Sequence, residues 1–517
     1  MKKRNVILSL LLTAVLLCGV CVPAFASDGY VPYDRDDHNT QIYVEGLVSK
    51  WVTPKDDPTV SLFAPIDTDR LKAAFGNVKT YLMDAVKKGD PRLAYHAVYD
   101  PVYDCFGEAA LLPDGITMKD TVTVAPTRLY EMDGNKFLFQ FDTRLDPVDI
   151  AKELDDYIQW VKRDGRVTRS RYHNTVTDTI ELVASSYGAE VLLAYLNEYG
   201  YDNIDSALLC VPTTGGVRLV SELFTGELNF SASALRQTLQ QYNLLSDYDP
   251  LIEVLEKSGA LQQVIDHVAQ PALKSAVEDA LHDLIHDVVG TMPAFWSFID
   301  DEHFDAALDY VFPTDEDKAE HQLLIDRVRY YHENIFNHTA DIINTAVSKG
   351  IHFNIVCKYN SAPLPICTND SALTDGFIPC EEASFGATCA KIGQKLPATY
   401  TQQKLTDYNF VSPDRMIDAS TGLLPFNTWY IKDLWHGTKC DEYFDLLNRI
   451  VYDNLTVFSD ETRPQFLQWD GAESLLPLQA DTPAQEIQQT IDRSWAGTLL
   501  RFLRFLVNMV KKWFHIG

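Results

Sequence analysis

The chain has 517 residues and a formal net charge of −29, from 44 Lys and Arg against 73 Asp and Glu. This acidity argues against nucleic acid as a partner, because binding a phosphate backbone requires a basic surface. The length exceeds that of one ordinary domain, and a single catalytic core that carries a large insertion would account for it.

The first 26 residues have the three parts of a secretory signal peptide. Residues 2–4 are basic, an apolar run begins at Val6, and residues 24–26 form an Ala-x-Ala cleavage site. Cleavage there removes three positive charges, so the net charge of −29 becomes −32. No later stretch is long and apolar enough to cross a membrane. The sequence therefore predicts a secreted, extracellular protein, with attachment to the cell surface as an open alternative.

Strand and helix patterns alternate between residues 41 and 216, which predicts a mostly parallel sheet flanked by helices. Asp146 followed by Pro147 is a typical helix start, with the aspartate as N-cap, and Gly200 is a typical C-cap. The predicted strands are residues 41–49, 137–141, 180–183 and 204–211, and the predicted helices include residues 67–88 and 189–199.

A run of small residues and two serines, residues 183–189, joins a predicted strand to a predicted helix and leaves no room for a loop. Such a turn is typical of a nucleophile elbow, in which a serine is lifted out of the sheet. The residues two before and two after the nucleophile must be small, because strand and helix nearly touch. Ser186 meets this demand with Ala184 and Gly188, whereas Ser185 would place a valine and a tyrosine there. Ser186 is therefore the predicted nucleophile, and an ordinary Ser-Ser turn is the alternative.

An oxyanion hole needs two backbone N–H groups beside the nucleophile. One comes from the residue after the serine and the other from the loop after a neighbouring strand, which predicts Tyr187 and Leu47 as the donors. A carboxylate in the hole would repel the oxyanion, so Glu45 is expected to point away or to pair with a base. The alternative for residues 41–49 is a simple edge strand.

Helical patterns dominate from residue 217 to residue 349, between two predicted strands, and this block is interpreted as an inserted helical cap. Its aromatic cluster from Phe295 to Phe312 would line an acyl pocket or pack the core of the cap. His282 and His286 lie four residues apart, a spacing that suits metal ligands, but no third ligand is evident. A solvated helix face is the preferred interpretation, and no metal or cofactor is predicted.

Two later stretches supply the remaining members of a catalytic triad. Asp375-Gly376 forms a turn after the predicted strand at residues 353–357, where a carboxylate can orient a histidine. His436 lies at the end of a predicted strand, residues 428–437, and is the predicted general base. The order Ser186, Asp375, His436 along the chain favours this assignment. The alternatives are a plain surface turn and a histidine that merely ends a strand.

The chain resembles bacterial relatives of the lecithin:cholesterol acyltransferase/lipase branch of α/β-hydrolases. The similar segments are residues 141–144 (its Tyr-Asp-Trp-Arg), 185–189 (its His-Ser-x-Gly-Gly), 374–378 (its Gly/Ser-Asp-Gly-x-Val) and 435–437 (its terminal His). The resemblance implies an α/β-hydrolase fold and a serine enzyme that cleaves or transfers an acyl ester of a small molecule or lipid. An inactive binding protein of the same fold and a serine peptidase or amidase are the alternatives.

The predicted organisation is a signal peptide at residues 1–26, a core in two parts at 27–216 and 350–493, and a cap at 217–349. Residues 494–517 contain no acid and predict a basic amphipathic helix. Such a helix favours peripheral contact with an anionic membrane or cell envelope. Docking of this helix on the acidic body is the alternative.

Overall fold

The computed structural model describes residues 40–47, 52–63, 74, 84, 88–125, 130–133, 136–163, 179–229, 271–368, 371–404 and 406–480. The predicted leader at 1–26, most of the predicted helix at 67–88, part of the predicted cap and the basic tail at 494–517 lie outside these residues. Within the described residues, no helix combines the length and the apolar character that crossing a membrane requires.

A nine-stranded sheet forms the centre of the described structure. Its strands are β1 (Thr40–Val44), β4 (Tyr130–Asp133), β5 (Lys136–Phe139), β6 (Ile180–Ser185), β7 (Ile204–Cys210), β8 (His352–Tyr359), β11 (Thr428–Lys432), β12 (Phe466–Trp469) and β13 (Leu475–Pro477). Their order across the sheet is β4-β5-β1-β6-β7-β8-β11-β12-β13. The seven strands from β5 to β12 in this order run parallel, and each edge carries one antiparallel strand.

Two short antiparallel pairs lie outside this sheet, namely β2 (Val52–Pro54) with β3 (Val122–Val124) and β9 (Thr388–Cys389) with β10 (Ile417–Asp418). The helices are α1 (Pro91–Phe106), α2 (Pro147–Arg163), α3 (Tyr187–Tyr199), α4 (Arg218–Phe224), α5 (Pro271–Asp287), α6 (Pro293–Trp296), α7 (Phe304–Val311), α8 (Asp315–Glu320), α9 (Gln322–Asn334), α10 (Thr339–Ser348), α11 (Cys380–Ala383) and α12 (Asp441–Tyr452).

The central strands are apolar because helices cover the sheet. All six residues of β6 are buried, as are seven of the eight residues of β8. Helices α2, α3 and α10 pack side by side, with α3 against β6 and α10 against β8, while α12 packs against β7 and β8. Parallel strands covered in this way lack a polar face, which explains their continuous hydrophobic runs. The predicted α/β class with a mostly parallel, helix-flanked sheet is therefore confirmed.

Local signals at the helix ends are also confirmed. Helix α2 begins at Pro147, and the Asp146 carboxylate accepts a 2.7 Å hydrogen bond from the backbone N–H of Val148. Gly200 ends α3 with a φ of 83°. Between β7 and β8 the described residues form helices and no strand, from α4 to α10. The division into core and cap at residues 217 and 349 stays a prediction.

Three predicted strands extend two or more residues too far at their carboxyl ends. The first strand ends at Val44 rather than Ser49, and the second predicted strand ends at Phe139. Strand β11 ends at Lys432, four residues before His436. Asp433 has a φ of 66°, a left-handed conformation that interrupts the strand. His436 therefore belongs to a loop beyond the sheet.

Candidate active site

Ser186 lies at a sharp turn between β6 and α3. Strand β6 ends at Ser185, α3 begins at Tyr187, and Ser186 between them has φ 55° and ψ −122°. A non-glycine residue with positive φ is strained, and such strain clusters at functional sites. The Ser186 N–H donates to the Cys210 carbonyl at the end of β7, which anchors the turn on the sheet. The local geometry is that of a nucleophile elbow.

The demand for small residues around Ser186 has a visible cause. A Cβ added to Gly188 would lie 2.4 Å from the carbonyl oxygen of Glu45 and 2.6 Å from that of Val44. Ala184 is fully buried on the other side of the turn. The N-terminus of α3 thus rests directly on the backbone that follows β1, and only a glycine fits at position 188.

Ser186, His436 and Asp375 form one chain of contacts. The Ser186 Oγ lies 3.1 Å from His436 Nε2, and His436 Nδ1 lies 2.7 Å from Asp375 Oδ2. A carboxylate can only accept, so its partner Nδ1 carries the imidazole proton and leaves Nε2 to accept from the serine hydroxyl. The fold thus brings together the three residues proposed from the sequence, although 250 residues separate the serine from the histidine.

The turn after β8 fixes the Asp375 carboxylate. Its Oδ1 accepts hydrogen bonds from the backbone N–H groups of Phe377 (3.0 Å) and Ile378 (2.8 Å), which leaves Oδ2 for the histidine. The backbone N–H of His436 donates to the Asp375 carbonyl at 2.9 Å. Gly376 has a φ of 111°, and a Cβ there would lie 2.5 Å from Trp435 Nε1. The loop between β11 and α12, residues 433–440, carries His436 and is called the histidine loop. The Asp-Gly pair is therefore needed for the turn at Asp375 to pack against the histidine loop.

The two predicted oxyanion donors border the same site. Leu47 and Ser186 line one cavity, and Tyr187 is the first residue of α3, where a backbone N–H has no intrahelical acceptor. Neither of these two N–H groups donates a hydrogen bond to a residue within the described ranges. The Glu45 carboxylate accepts from the Gln140 side-chain amide at 3.1 Å and does not line the cavity.

No protein-family model matches this chain, and comparison with curated proteins finds no match either. The chemistry that the site permits follows from its geometry. A hydroxyl, an imidazole and a buried carboxylate lie in sequence within hydrogen-bonding distance, which is the arrangement that nucleophilic acyl transfer requires.

Lys358 binds the backbone of the histidine loop, and this role is not evident from the sequence. Its buried Nζ donates to the carbonyls of Trp435 (3.3 Å), His436 (3.0 Å) and Thr438 (2.7 Å). Burial lowers the pKa of Lys358 to about 7, and the charge of Asp375 opposes this shift. The one available signal is a lysine near the end of β8, directly after the run Ile355-Val356-Cys357.

The cavity beside Ser186 and His436 has mainly apolar walls. The stretch between β7 and β8 contributes Val217, Leu219, Val220 and Phe298, while Phe377 and Ile378 come from the aspartate turn. Tyr310 of this stretch is partly buried. The other predicted aromatic residues of the stretch are buried, and Trp296 stacks on Phe312 with ring centroids 5.6 Å apart. The aromatic cluster therefore mostly packs the helices, and Phe298 is its member that reaches the cavity.

A buried carboxyl group lies on α3, one helical turn after Ser186. Glu190 is fully buried, and burial raises its pKa to about 8, while the hydroxyls of Ser297, Thr213 and Tyr331 oppose the shift. The carboxyl is therefore mostly protonated at neutral pH. Thr213 also lines the cavity, so this polar cluster adjoins the site.

The paired histidines on α5 contact protein groups and are half-buried rather than on a solvated face. His282 Nε2 lies 2.8 Å from the Tyr310 carbonyl oxygen, and His286 Nδ1 lies 2.7 Å from Asp287 Oδ1. The described residues contain no group of three or more His, Cys, Asp or Glu side chains that could hold a metal ion.

Asp142 and Arg144, from the segment at residues 141–144 that resembles the family motif, form a buried ion pair with a structural role. The Arg144 guanidinium is buried and makes two hydrogen bonds to the Asp142 carboxylate, at 2.9 Å and 2.6 Å, and one of 2.7 Å to the Ala109 carbonyl. Both charges are paired and lie just after β5, where they hold the strand end against the loop after α1. They do not line the cavity.

Proposed function

We propose that this protein is an exported serine hydrolase of the α/β-hydrolase fold that cleaves, or transfers, an acyl ester. The observation that carries the proposal is the chain of contacts from Ser186 Oγ through His436 to Asp375, with distances of 3.1 Å and 2.7 Å. The first distance lies within the range in which a base can take a proton from a hydroxyl, and the second is a hydrogen bond that orients this base.

The fold supports the same proposal. Ser186 follows β6, Asp375 lies in the turn region after β8, and His436 lies after β11, all at the carboxyl ends of parallel strands. Ligands of open α/β sheets bind at this edge, and α/β-hydrolases carry their triad in this chain order. The helices between β7 and β8 contribute Val217 and Phe298 to the cavity, as a cap would.

In the proposed first step, Ser186 Oγ attacks the acyl carbonyl carbon while His436 Nε2 takes the hydroxyl proton. The backbone N–H groups of Leu47 and Tyr187 stabilise the negative oxygen of the tetrahedral intermediate. The carbon–oxygen bond to the alcohol then breaks, and the alcohol leaves with the proton from His436. Water, or a second alcohol in the case of transfer, repeats the sequence on the acyl-enzyme and restores the Ser186 hydroxyl.

An inactive binding protein of this fold would need no working triad, so contacts of 3.1 Å and 2.7 Å between its members favour an enzyme. The walls of the cavity are mainly apolar and suit the acyl chain of an ester. These features favour an ester over a peptide as the substrate.

The proposal is tested by kinetics on nitrophenyl esters of increasing acyl length and on aminoacyl nitroanilides. We expect the wild-type enzyme to hydrolyse the esters, with the Ser186→Ala variant reduced to the background rate. Ser185→Ala is the matched control, because it removes the neighbouring hydroxyl and should keep most of the activity. Hydrolysis of the nitroanilides but not of the esters would show that the enzyme is an amidase. Equal activity of the wild type and Ser186→Ala would refute the proposal.

A further inference from the structure

Within the described residues, a single lysine lines the cavity beside Ser186 and His436. Among the described residues that line it, Lys439 is the only one that is a lysine, arginine, aspartate or glutamate. It follows His436 by three residues in the same loop and is partly buried. A cation in this position is unexpected in a chain whose net charge is −29.

Aromatic groups hold the Lys439 ammonium in place. Its Nζ donates to the Tyr43 hydroxyl at 3.3 Å and lies 5.4 Å from the centroid of the Tyr43 ring and 5.9 Å from that of Phe444. An ammonium has three N–H donors, and the Tyr43 contact uses one of them. Contact with two aromatic rings restricts the lysine without neutralising it.

Within the described residues, no carboxylate lies within 4.0 Å of the Lys439 ammonium. The buried cations Lys432 and Arg144, by contrast, have carboxylate partners at 2.9 Å and 2.6 Å. The charge of Lys439 also contributes to the lowered pKa of Lys358, so the two ammonium groups repel each other through the histidine loop. An anion bound at Lys439 would relieve this repulsion.

We propose that the ester cleaved at Ser186 carries an anionic group, a carboxylate or a phosphate, that binds the Lys439 ammonium. This inference rests on the proposed serine-hydrolase function and adds a substrate class to it. The apolar walls receive the remainder of the substrate, and Lys439 selects for the charge. A charge-assisted hydrogen bond of this kind corresponds to a preference of about 10- to 100-fold in kcat/KM.

Two substrate pairs test the inference and locate the charge. For the acyl side, para-nitrophenyl hydrogen glutarate is compared with para-nitrophenyl pentanoate. For the alcohol side, meta-carboxyphenyl acetate is compared with phenyl acetate. The readout is the anionic-to-neutral ratio of kcat/KM in each pair, measured for the wild type and for Lys439→Met, Lys439→Gln and Lys439→Arg.

We expect the wild type to prefer the anionic member of one pair by about 10-fold or more. Lys439→Met and Lys439→Gln should lose this preference, and Lys439→Arg should retain it because it keeps the charge. Lys318→Met removes a partly exposed lysine that pairs with Asp309 and does not line the cavity, and it should leave the ratio at the wild-type value. Two uncharged variants are included so that a folding defect in one leaves the other to decide.

Absence of a preference in both pairs would overturn the inference, as would a preference that persists in Lys439→Met and Lys439→Gln. Labelling of Ser186 by a fluorophosphonate does not depend on an anionic substrate. It therefore tests the serine-hydrolase function separately from the preference for anionic esters. If the protein is labelled at Ser186 but shows no anionic preference, the serine-hydrolase proposal stands and the anionic substrate class is refuted. If the protein is not labelled, both proposals are refuted.

Discussion

Lys358 Nζ donates a 3.0 Å hydrogen bond to the backbone carbonyl of His436, the residue whose imidazole contacts Ser186. Two further bonds reach the carbonyls of Trp435 and Thr438, so one buried ammonium organises the backbone of the whole histidine loop. Lys358 does not touch the serine. We therefore assign it as a positioning residue that acts through the orientation of His436.

Replacing Lys358 with methionine should lower kcat by about 10- to 100-fold and change KM little, because a small misplacement of a catalytic group costs this much in rate. Burial lowers the pKa of Lys358 to about 7, so the full set of donors exists below that pH and one donor is lost above it. The wild-type kcat should therefore decline as pH rises through about 7, and Lys358→Met should lack this decline.

Lys136→Met is the control for a general loss of a buried lysine. Lys136 Nζ donates to Asn448 Oδ1 at 3.0 Å and does not line the cavity. It should keep the wild-type kcat and the wild-type pH profile. A common profile for wild type and Lys358→Met would exclude the positioning role, even if both variants lose stability.

Asp375→Asn should reduce kcat by about 10⁴-fold, because an amide cannot hold the imidazole in the tautomer that accepts the serine proton. Asp433→Asn is the matched control. Asp433 is a second buried aspartate in the same loop region, and its carboxylate accepts from Asn360 (2.7 Å) and Gln468 (2.6 Å) rather than from the histidine. Steady-state kinetics should show a loss confined to Asp375→Asn. Comparable losses in both variants would indicate a structural effect.

Much of this site is predictable from local sequence. Ser186 could be chosen over Ser185 because the elbow demands small neighbours. A Cβ added to Gly188 would indeed lie 2.4 Å from the carbonyl oxygen of Glu45. The parallel sheet followed from alternating strand and helix patterns. The Asp375 turn followed from an Asp-Gly pair after an apolar strand.

Other features depend on contacts between distant segments and could not be predicted. The predicted strand before His436 was too long because the left-handed Asp433 has no clear local signature. Lys358 and Glu190 are buried polar residues within mostly apolar elements. The carbonyl groups that bind Lys358 lie 77 or more residues away along the chain. Burial of a polar residue on all sides becomes visible only when the elements are packed.

Glu190 should make the folded protein less stable as pH rises. Burial raises its pKa from 4.5 to about 8, so between these values the folded state holds a proton that the unfolded state has released. Unfolding then releases one proton, and this group lowers the free energy of unfolding by about 1.4 kcal/mol for each pH unit in that window. Below pH 4.5 the stabilisation is fully present.

Chemical denaturation from pH 4.5 to pH 8 measures this effect as the difference between wild type and Glu190→Gln. The stability of the variant should depend less on pH, and the gap should move in its favour as pH rises. Glu198→Gln, on the exposed end of the same helix, should follow the wild type. Parallel curves for wild type and Glu190→Gln would show that the carboxyl is already ionised in the folded state.

Removal of residues 494–517 should lower activity on anionic lipid dispersions and spare a soluble short-chain ester. This segment lies outside the described residues, and the expectation rests on its basic, acid-free sequence. Added salt should reduce the activity of the full chain on lipid, because it screens the attraction between unlike charges. Equal losses on both substrates would indicate a structural role for the segment, and no loss on either would exclude a membrane role.

The most direct measurement of the central claim is covalent labelling with a fluorophosphonate, followed by mass spectrometry of the labelled peptide. A serine activated by His436 and Asp375 should react at Ser186, and Ser186→Ala should not be labelled. Ser185→Ala should be labelled like the wild type, because among the described residues the His436 imidazole contacts the Ser186 hydroxyl and not that of Ser185. Labelling of the wild type that does not exceed that of Ser186→Ala would contradict the assignment of a serine hydrolase.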